Sequence, residues 1–590
     1  MNTDTVPSHS APEAPGSATR HGYFTTSNGV PLLGHLHGGT AERGVAALIV
    51  APFGWEDVCS YRPRRALARR LAAEGIPTLR FDAPGAGDSA GDASLPGRVD
   101  AWIDAVARAA QVLRDETGCA RAVAVGIGPG AVVAGHALLA GALLDAAVLW
   151  PAVGRGRQFV REMAALRRLE RQEYASEADD GEDDGTVAGF LADAAFRDAL
   201  SALDLADAAG SGSLAGARVL AMGRDGIAPD ARLVDALRGG GASVETDGGA
   251  GYGAMMADPQ AARIHGDTSA RIAGFCLDVG QDLPAGDVTA VLQPTARVAD
   301  GVDEHPVELR AADDGPTLFG LWCRPAGGAA ADRVAVFLNA GSVRHIGPNR
   351  LWVEMARDLA RRGIPSLRAD LSGIGDGDGD EDLRTQEAGL HDPSLVVEAR
   401  HVVDAALAGS GAARAGLVGL CSGAAWSAHV AADDMRVDRA VMINPRYIVW
   451  DQDVADARET ASASTSVLRR SAWRKLAEGR VTPRRAAAVA HAMLTRAVGA
   501  ATRRRSSRDV PPAAADVVRR LGRPGLRALF VFTAGEPLLE ELEADRLLAR
   551  RDAPDVVRLE DAGHTLRPRW AQERAIEIVS RHVAGDDRPA

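Results

Sequence analysis

Lysine is nearly missing from this chain of 590 residues: among 67 basic side chains only Lys475 is a lysine. Arginine supplies the rest alongside abundant Ala and Gly, a bias that suggests a GC-rich genome and discounts arginine clusters as evidence of binding. Cysteine is also scarce. The five present, Cys59, Cys119, Cys276, Cys323 and Cys421, are odd in number and scattered, with no C-x-x-C pair. That pattern argues against a disulfide framework or zinc knuckle and suits a reducing, cytoplasmic compartment. No run of about eighteen apolar residues occurs, so no membrane span is expected. The opening MNTDTVPSHSAPEAPGSATR lacks the basic start and apolar core of a secretory signal, and residues 1–20 read as a disordered leader. A formal charge of -12 disfavours nonspecific nucleic-acid binding.

What is present is a chain written twice. GIPTLRFDAPGAGDSAG (75–91) returns as GIPSLRADLSGIGDGDG (363–379), and each copy is preceded by an apolar run and a helical pattern. The runs are VAALIVAPF (45–53) and RVAVFLNAG (333–341). Downstream, AVAVGIGPGA matches GLVGLCSGA, DAAVLWPA matches DRAVMINP, ARVLAMGRDG matches LRALFVFTAGEP, and VETDGGAGYG matches VRLEDAGHT. Short apolar strands alternating with amphipathic helices predict α/β domains with mostly parallel sheets. Two such domains are expected, at about 21–285 and 300–585. Each carries an insertion that reads as a cap, at about 153–215 and 446–523, over the sheet edge where open α/β folds bind ligands.

GLCSGA (419–424) has the spacing of a nucleophile elbow, with Cys421 at its centre and Gly419 and Gly423 relieving the crowding of a sharp strand-to-helix turn. The Ser422 amide would face a developing oxyanion, with a second donor from the backbone of Ser342 or, alternatively, Gly341. His564 in DAGHT follows a strand-like run and suits a base. Glu536 follows another and could hold the imidazole tautomer, with Glu540 and Glu541 as competitors. The order nucleophile, acid, base is the one expected of an α/β-hydrolase.

The stretches PFGWEDVCSYRPRRALARRLAAEGIPTLRFDAPGAGDSAG and GPNRLWVEMARDLARRGIPSLRADLSGIGDGDG resemble serine aminopeptidase-like α/β-hydrolases, including those associated with exosortase systems. The resemblance covers nearly the whole chain beyond the leader and implies two tandem α/β-hydrolase domains. Cys421, standing where such families carry serine, resembles the elbow of dienelactone hydrolases and polyhydroxyalkanoate synthases.

In the first copy the elbow reads GIGPGA with Gly128 at its centre, and Tyr252 stands where the histidine would be; Asp225 keeps an acid-like place. Without nucleophile and base this copy reads as a pseudoenzyme domain that packs against, caps or positions the other. Asp376, Asp378, Asp380 and Glu387 partly fit a calcium loop, but Glu381 stands where its turn needs glycine, so a solvated loop is the expectation and no metal or cofactor is called for. Arg344, His345 and Arg350 could hold a substrate carboxylate or stabilise their own loop. The second cap places fourteen basic residues between Arg469 and Arg520 against Glu478, Asp509 and Asp516. That face could receive a phosphopantetheine arm, coenzyme A or an acidic carrier protein, or be merely solvated.

The chemistry that follows is acyl transfer or a thioesterase-like reaction through an S-acyl intermediate on Cys421, formed from a thioester or ester substrate. An ester or lactone hydrolase is the alternative. A noncatalytic binding scaffold is the alternative outside enzymes.

Overall fold

The computed structural model describes residues 19–94, 96–174, 185–211, 214–280, 283–310, 315–328, 331–455, 458 and 510–586. The first sheet is built from β1 (Thr19–Thr25), β2 (Pro31–His37), β3 (Val45–Val50), β4 (Thr78–Phe81), β5 (Arg121–Ile127) and β6 (Ala146–Trp150). A small hairpin, β7 (Thr186–Val187) and β8 (Phe190–Leu191), precedes its last two strands, β9 (Arg218–Met222) and β10 (Ser243–Asp247). The order is β1-β2-β4-β3-β5-β6-β9-β10, antiparallel as far as the β2–β4 pair and parallel beyond it. Every residue of VAALIV in β3 is buried, as a central strand covered on both faces requires.

The second sheet repeats this plan with one extra edge strand. Its members are β11 (Ala296–Ala299), β12 (Val302–Arg310), β13 (Thr317–Pro325), β14 (Arg333–Phe337), β15 (Ser366–Asp370), β16 (Arg414–Leu420), β17 (Val437–Ile443), β18 (Arg527–Thr533) and β19 (Asp555–Leu559). Their order is β11-β12-β13-β15-β14-β16-β17-β18-β19, and once β11 is set aside it is the order of the first sheet. The α/β reading of two mostly parallel sheets with flanking helices is therefore borne out. In each sheet the chain reverses direction of growth beside the central strand, β3 or β14, which opens a crevice at the carboxyl ends of the strands.

The two halves are joined by charge as well as by apolar packing. Tyr23, Leu33 and Ala90 of the first half belong to the same buried cluster as Phe319, Leu321 and Ala356 of the second. At the seam the repeated motif meets its own copy. Arg80 donates to Asp376 at 2.7 Å, while the corresponding Arg368 donates to the corresponding Asp88. This reciprocity is the signature of a two-fold contact, here within one chain. The turns work because Gly87 (φ +50°) and Gly375 (φ +56°) leave room: a Cβ there would lie 2.0 Å from Asp82 Oδ2 and 2.1 Å from Asp370 Oδ2.

Between β6 and β9 lie the helices Arg157–Tyr174, Ala194–Ala202 and Leu205–Ser211 and the β7–β8 hairpin. Rather than closing over its own sheet alone, this insertion reaches the second half. Gln572 donates to the Gly189 carbonyl at 2.9 Å, and Arg567 pairs with Glu170 at 2.5 Å. The centre of the second insertion, with Lys475 and the basic residues from Arg469 to Arg508, lies outside the described residues. Arg520 lies within them and pairs with Asp433 and Asp516. Among the described residues no helix is long and apolar enough to cross a membrane.

Candidate active site

Cys421 follows β16 and caps the helix Ser422–Asp433 with φ 58° and ψ −117°, a positive φ that non-glycine residues seldom adopt. Its neighbours must be glycines. A Cβ on Gly419 would sit 2.1 Å from the Gly423 carbonyl oxygen, and one on Gly423 would sit 2.0 Å from that of Asn339. The turn lifts the sulfur toward solvent: Cys421 is partly exposed, whereas Cys59, Cys119, Cys276 and Cys323 are buried. Burial pushes the thiols of those four up, Cys276 to about 12, which makes them poor nucleophiles.

The structure brings His564 and Glu536 to this elbow. The imidazole Nδ1 lies 2.7 Å from Glu536 Oε1, and the ring is close enough to Cys421 for the sulfur to act on its charge. Burial works to lower the His564 pKa, but the hydrogen bonds and charges of Cys421 and Glu536 outweigh it and push it up to about 10. The arrangement therefore favours the charged, imidazolium form of His564. Glu536 is buried and also accepts from Thr533 Oγ1 at 3.3 Å. Of the competing glutamates, Glu541 is paired with Arg458 and Glu540 is exposed, so neither is brought to the imidazole.

At the end of β14 the Gly341 amide donates to Ser422 Oγ at 3.2 Å, which ties the turn to the elbow and commits that amide. The Ser342 amide meets no backbone acceptor among the described residues, while its hydroxyl donates to the Arg384 carbonyl at 3.2 Å. The Ser422 amide opens a helix and has no intrahelical acceptor. Ser422 directly follows Cys421 in the chain, and Ser342 directly follows Gly341, whose amide is bonded to Ser422.

Three asparagines escaped the sequence reading. Asn444 (φ 44°) donates to the His564 carbonyl at 2.7 Å and accepts from the Thr533 amide at 2.8 Å, linking the end of β18 to the loop of His564. Asn349 donates to the Thr565 carbonyl at 2.8 Å. Asn339 donates to the Val343 carbonyl at 3.1 Å and to Asp370 at 2.7 Å. The only sequence signal was the N-P step of Asn444 and Pro445, a turn marker with no stated partner.

Arg344, His345 and Arg350 hold the protein together instead of offering charge to a substrate. Arg344 bonds Asp82 at 2.9 Å and Asp88 at 3.1 Å, His345 sits between Asp88 and Asp370, and Arg350 donates to the Gly87 and Ser89 carbonyls. The acidic loop is neutralised in the same way: Asp376 by Arg80, Asp378 by Arg65 and Arg69, and Glu381 by Arg62 and Arg65. One ligand-type atom from each of His345, Asp370 and Asp376 lies within 4.8 Å of the other two. Their ring nitrogens and carboxylates are already engaged by one another and by Arg80, so they form a brace.

The first copy's elbow keeps the backbone and carries no side chain. Gly128 holds φ 58° and ψ −135°. A Cβ there would lie 2.9 Å from Glu56 Oε2, 2.9 Å from Pro52 Cβ and 3.4 Å from the Tyr252 hydroxyl. Tyr252 packs on Trp150 and beneath Arg224. Asp225 is spent as a cap, accepting from the Gly251 and Gly253 amides at 2.7 and 2.8 Å. Burial, with the Glu162 charge adding to it, pushes the Glu56 pKa up to about 7.

No protein-family model matches the chain, and no curated protein matches it. Among solved structures it is similar to a dienelactone hydrolase from Anabaena variabilis, at 14% identity and TM-score 0.30, covering 48% of this chain and 97% of the other. It is also similar to a cold-adapted esterase from an Arctic intertidal metagenomic library, at 16% identity and TM-score 0.30, covering 49% and 97%. A hypothetical protein of Pseudomonas aeruginosa matches at 15% identity and TM-score 0.31, covering 46% and 96%.

Proposed function

We propose that the second half is an acyl-transferring or thioesterase-like enzyme that forms an S-acyl intermediate on Cys421, and that the first half is catalytically inactive. The observation that carries this reading is the partly exposed thiol at a positive-φ elbow, near an imidazole that Glu536 anchors. The thiolate attacks the carbonyl of a thioester or ester, and the Ser422 and Ser342 amides stabilise the oxyanion. As the tetrahedral intermediate collapses, His564 gives its proton to the leaving thiol or alcohol. It then takes one from the acceptor that attacks the thioester, and Cys421 leaves as thiolate. An acyl thioester reacts readily with amines and thiols, which makes transfer to a carrier thiol or an amine as accessible as hydrolysis. A coenzyme A or carrier-borne donor belongs to the same proposal.

Incubating the protein with acyl thioesters of graded chain length and recording its intact mass tests this. An adduct of one acyl group should form on the wild type and vanish in Cys421→Ala. An adduct that survives Cys421→Ala, or donors consumed with no adduct and no dependence on Cys421, removes the reading. Products formed with and without a competing amine separate transfer from hydrolysis.

A further inference from the structure

Both loops that flank Cys421 are held from outside their own sheet. The turn carrying Ser342 closes through a bridge between Ala340 and Val343 and runs directly into Arg344 and His345. Arg344 is buried against Asp82 and Asp88 of the first half, with the Tyr61 ring 4.1 Å from its guanidinium carbon. The His345 amide donates to Asp370 at 2.6 Å, and its ring spans from Asp370 at 2.6 Å to Asp88 at 2.8 Å. A ring bonded through both nitrogens has one orientation, and the backbone it grows from is fixed with it.

The histidine loop is held by the other first-half element within reach, the insertion between β6 and β9. Arg567, three residues beyond His564, pairs with Glu170 Oε1 at 2.5 Å, and the other Glu170 oxygen accepts from the Ala188 amide at 2.8 Å. Trp55 lies 5.0 Å beneath the Arg567 guanidinium. Gly189 (φ +83°) packs so closely that a Cβ would lie 2.4 Å from Asn349 Oδ1, and Asn349 in turn bonds the Thr565 carbonyl.

We propose that the inactive half positions the catalytic loops of the other, Asp88 setting the oxyanion turn through His345 and Arg344, and Glu170 setting the histidine loop through Arg567. The inference rests on the reading of Cys421 as an acyl-accepting nucleophile. Asp88, Glu170 and their partners are positioning residues, since none touches the sulfur. A displacement of about 1 Å at such a loop costs on the order of 100-fold in rate, which is the scale on which the clamp acts.

The test uses the full chain with Asp88→Asn and Glu170→Gln. Three quantities are read: the rate of Cys421 acylation by an acyl thioester, its alkylation rate by iodoacetamide, and hydrogen exchange in peptides spanning 340–347 and 561–568. Alkylation develops no oxyanion but does need the thiolate that His564 maintains. In Asp88→Asn, acylation should fall about 100-fold, the loss expected for one oxyanion donor. Alkylation there should stay within about twofold, and exchange should quicken only at 340–347. In Glu170→Gln both rates should fall by about tenfold, with exchange quickening only at 561–568. Equal loss of both rates in Asp88→Asn, or unchanged alkylation in Glu170→Gln, overturns the proposal. If Asp88→Asn does not fold, His345→Gln cuts the same link and is read the same way. A wild type that never acylates refutes the proposed function, while alkylation and exchange still decide the clamp.

Discussion

At the two elbows, Gly128 (φ 58°, ψ −135°) and Cys421 (φ 58°, ψ −117°) hold nearly the same backbone, but one is walled in and the other opens on a histidine. Glu56, Pro52 and Tyr252 crowd the place where a side chain on residue 128 would begin. Cys421 instead has His564 beside it and Glu536 behind that. At the seam between the halves the contrast reverses, because Arg80 and Asp376 mirror Arg368 and Asp88. The strained turn is thus a property of the fold, held alike with a thiol at its centre and with no side chain there. The paired charges serve the assembly, which both halves still need.

The largest effects are expected where the halves agree. Removing one member of a buried pair costs about 3–5 kcal/mol where it strands the partner, and less here, since Asp88 keeps Arg344 and His345 and Asp376 keeps Tyr61 and Arg65. Arg80→Met and Arg368→Met should both still lower the urea midpoint. The loss should be greater for Arg368, which also bonds Glu304 at 3.1 Å, so equal losses would mean that this second carboxylate contributes nothing. Next comes Glu536→Gln, which keeps the shape but removes the charge facing His564. Acylation should drop on the order of 100-fold, less than in a serine triad because a thiol ionises more easily, with little change in melting temperature. An unaffected rate would pass the acid's role to another group.

Gly128→Cys tests whether the first elbow is closed by packing or merely lacks a nucleophile. The added side chain should cost about 1–3 kcal/mol by overpacking, read from urea denaturation, and the new thiol should resist iodoacetamide. A stable variant alkylated as fast as Cys421 would show an open site. The last effect is electrostatic and is spread over pH. Burial opposes the charge on His345, but Asp370 and Asp88 outweigh it and raise its pKa from 6.5 to about 10. A raised pKa means stability fully present below the unfolded value and lost as pH rises through about 10. In a Cys421→Ala background, which removes the sulfur's share of the His564 shift, the urea midpoint should fall over that alkaline range. His345→Gln should flatten the fall. Asp88 behaves oppositely: burial opposes its charge, His345 and Arg368 prevail, and its contribution is lost only as pH falls through its lowered pKa.

Much of the site was legible because elbows are local. A nucleophile between two glycines after an apolar strand needs only neighbouring residues, and Gly419 and Gly423 are required by contacts within a few residues or at the adjoining strand end. His564 was legible because it lies in the loop after the last strand of the repeat. The acid was ambiguous among Glu536, Glu540 and Glu541, since a few residues of helix turn carboxylates in different directions and the pattern carries no distance. Arg344 and His345 could be read as substrate ligands because their partners, Asp82 and Asp88, lie more than 250 residues away in the chain.

The sequence by itself determined two α/β halves, one elbow with a thiol and one without, and a histidine in the place of a base, because periodicity and turn chemistry act over short stretches of chain. Only the tertiary structure decided which glutamate meets the imidazole. It alone showed that the cationic cluster beside Ser342 is spent on the seam, and that the first half's insertion rests on the second half's histidine loop. Those outcomes depend on which charges become buried together, and burial is a property of the packed molecule.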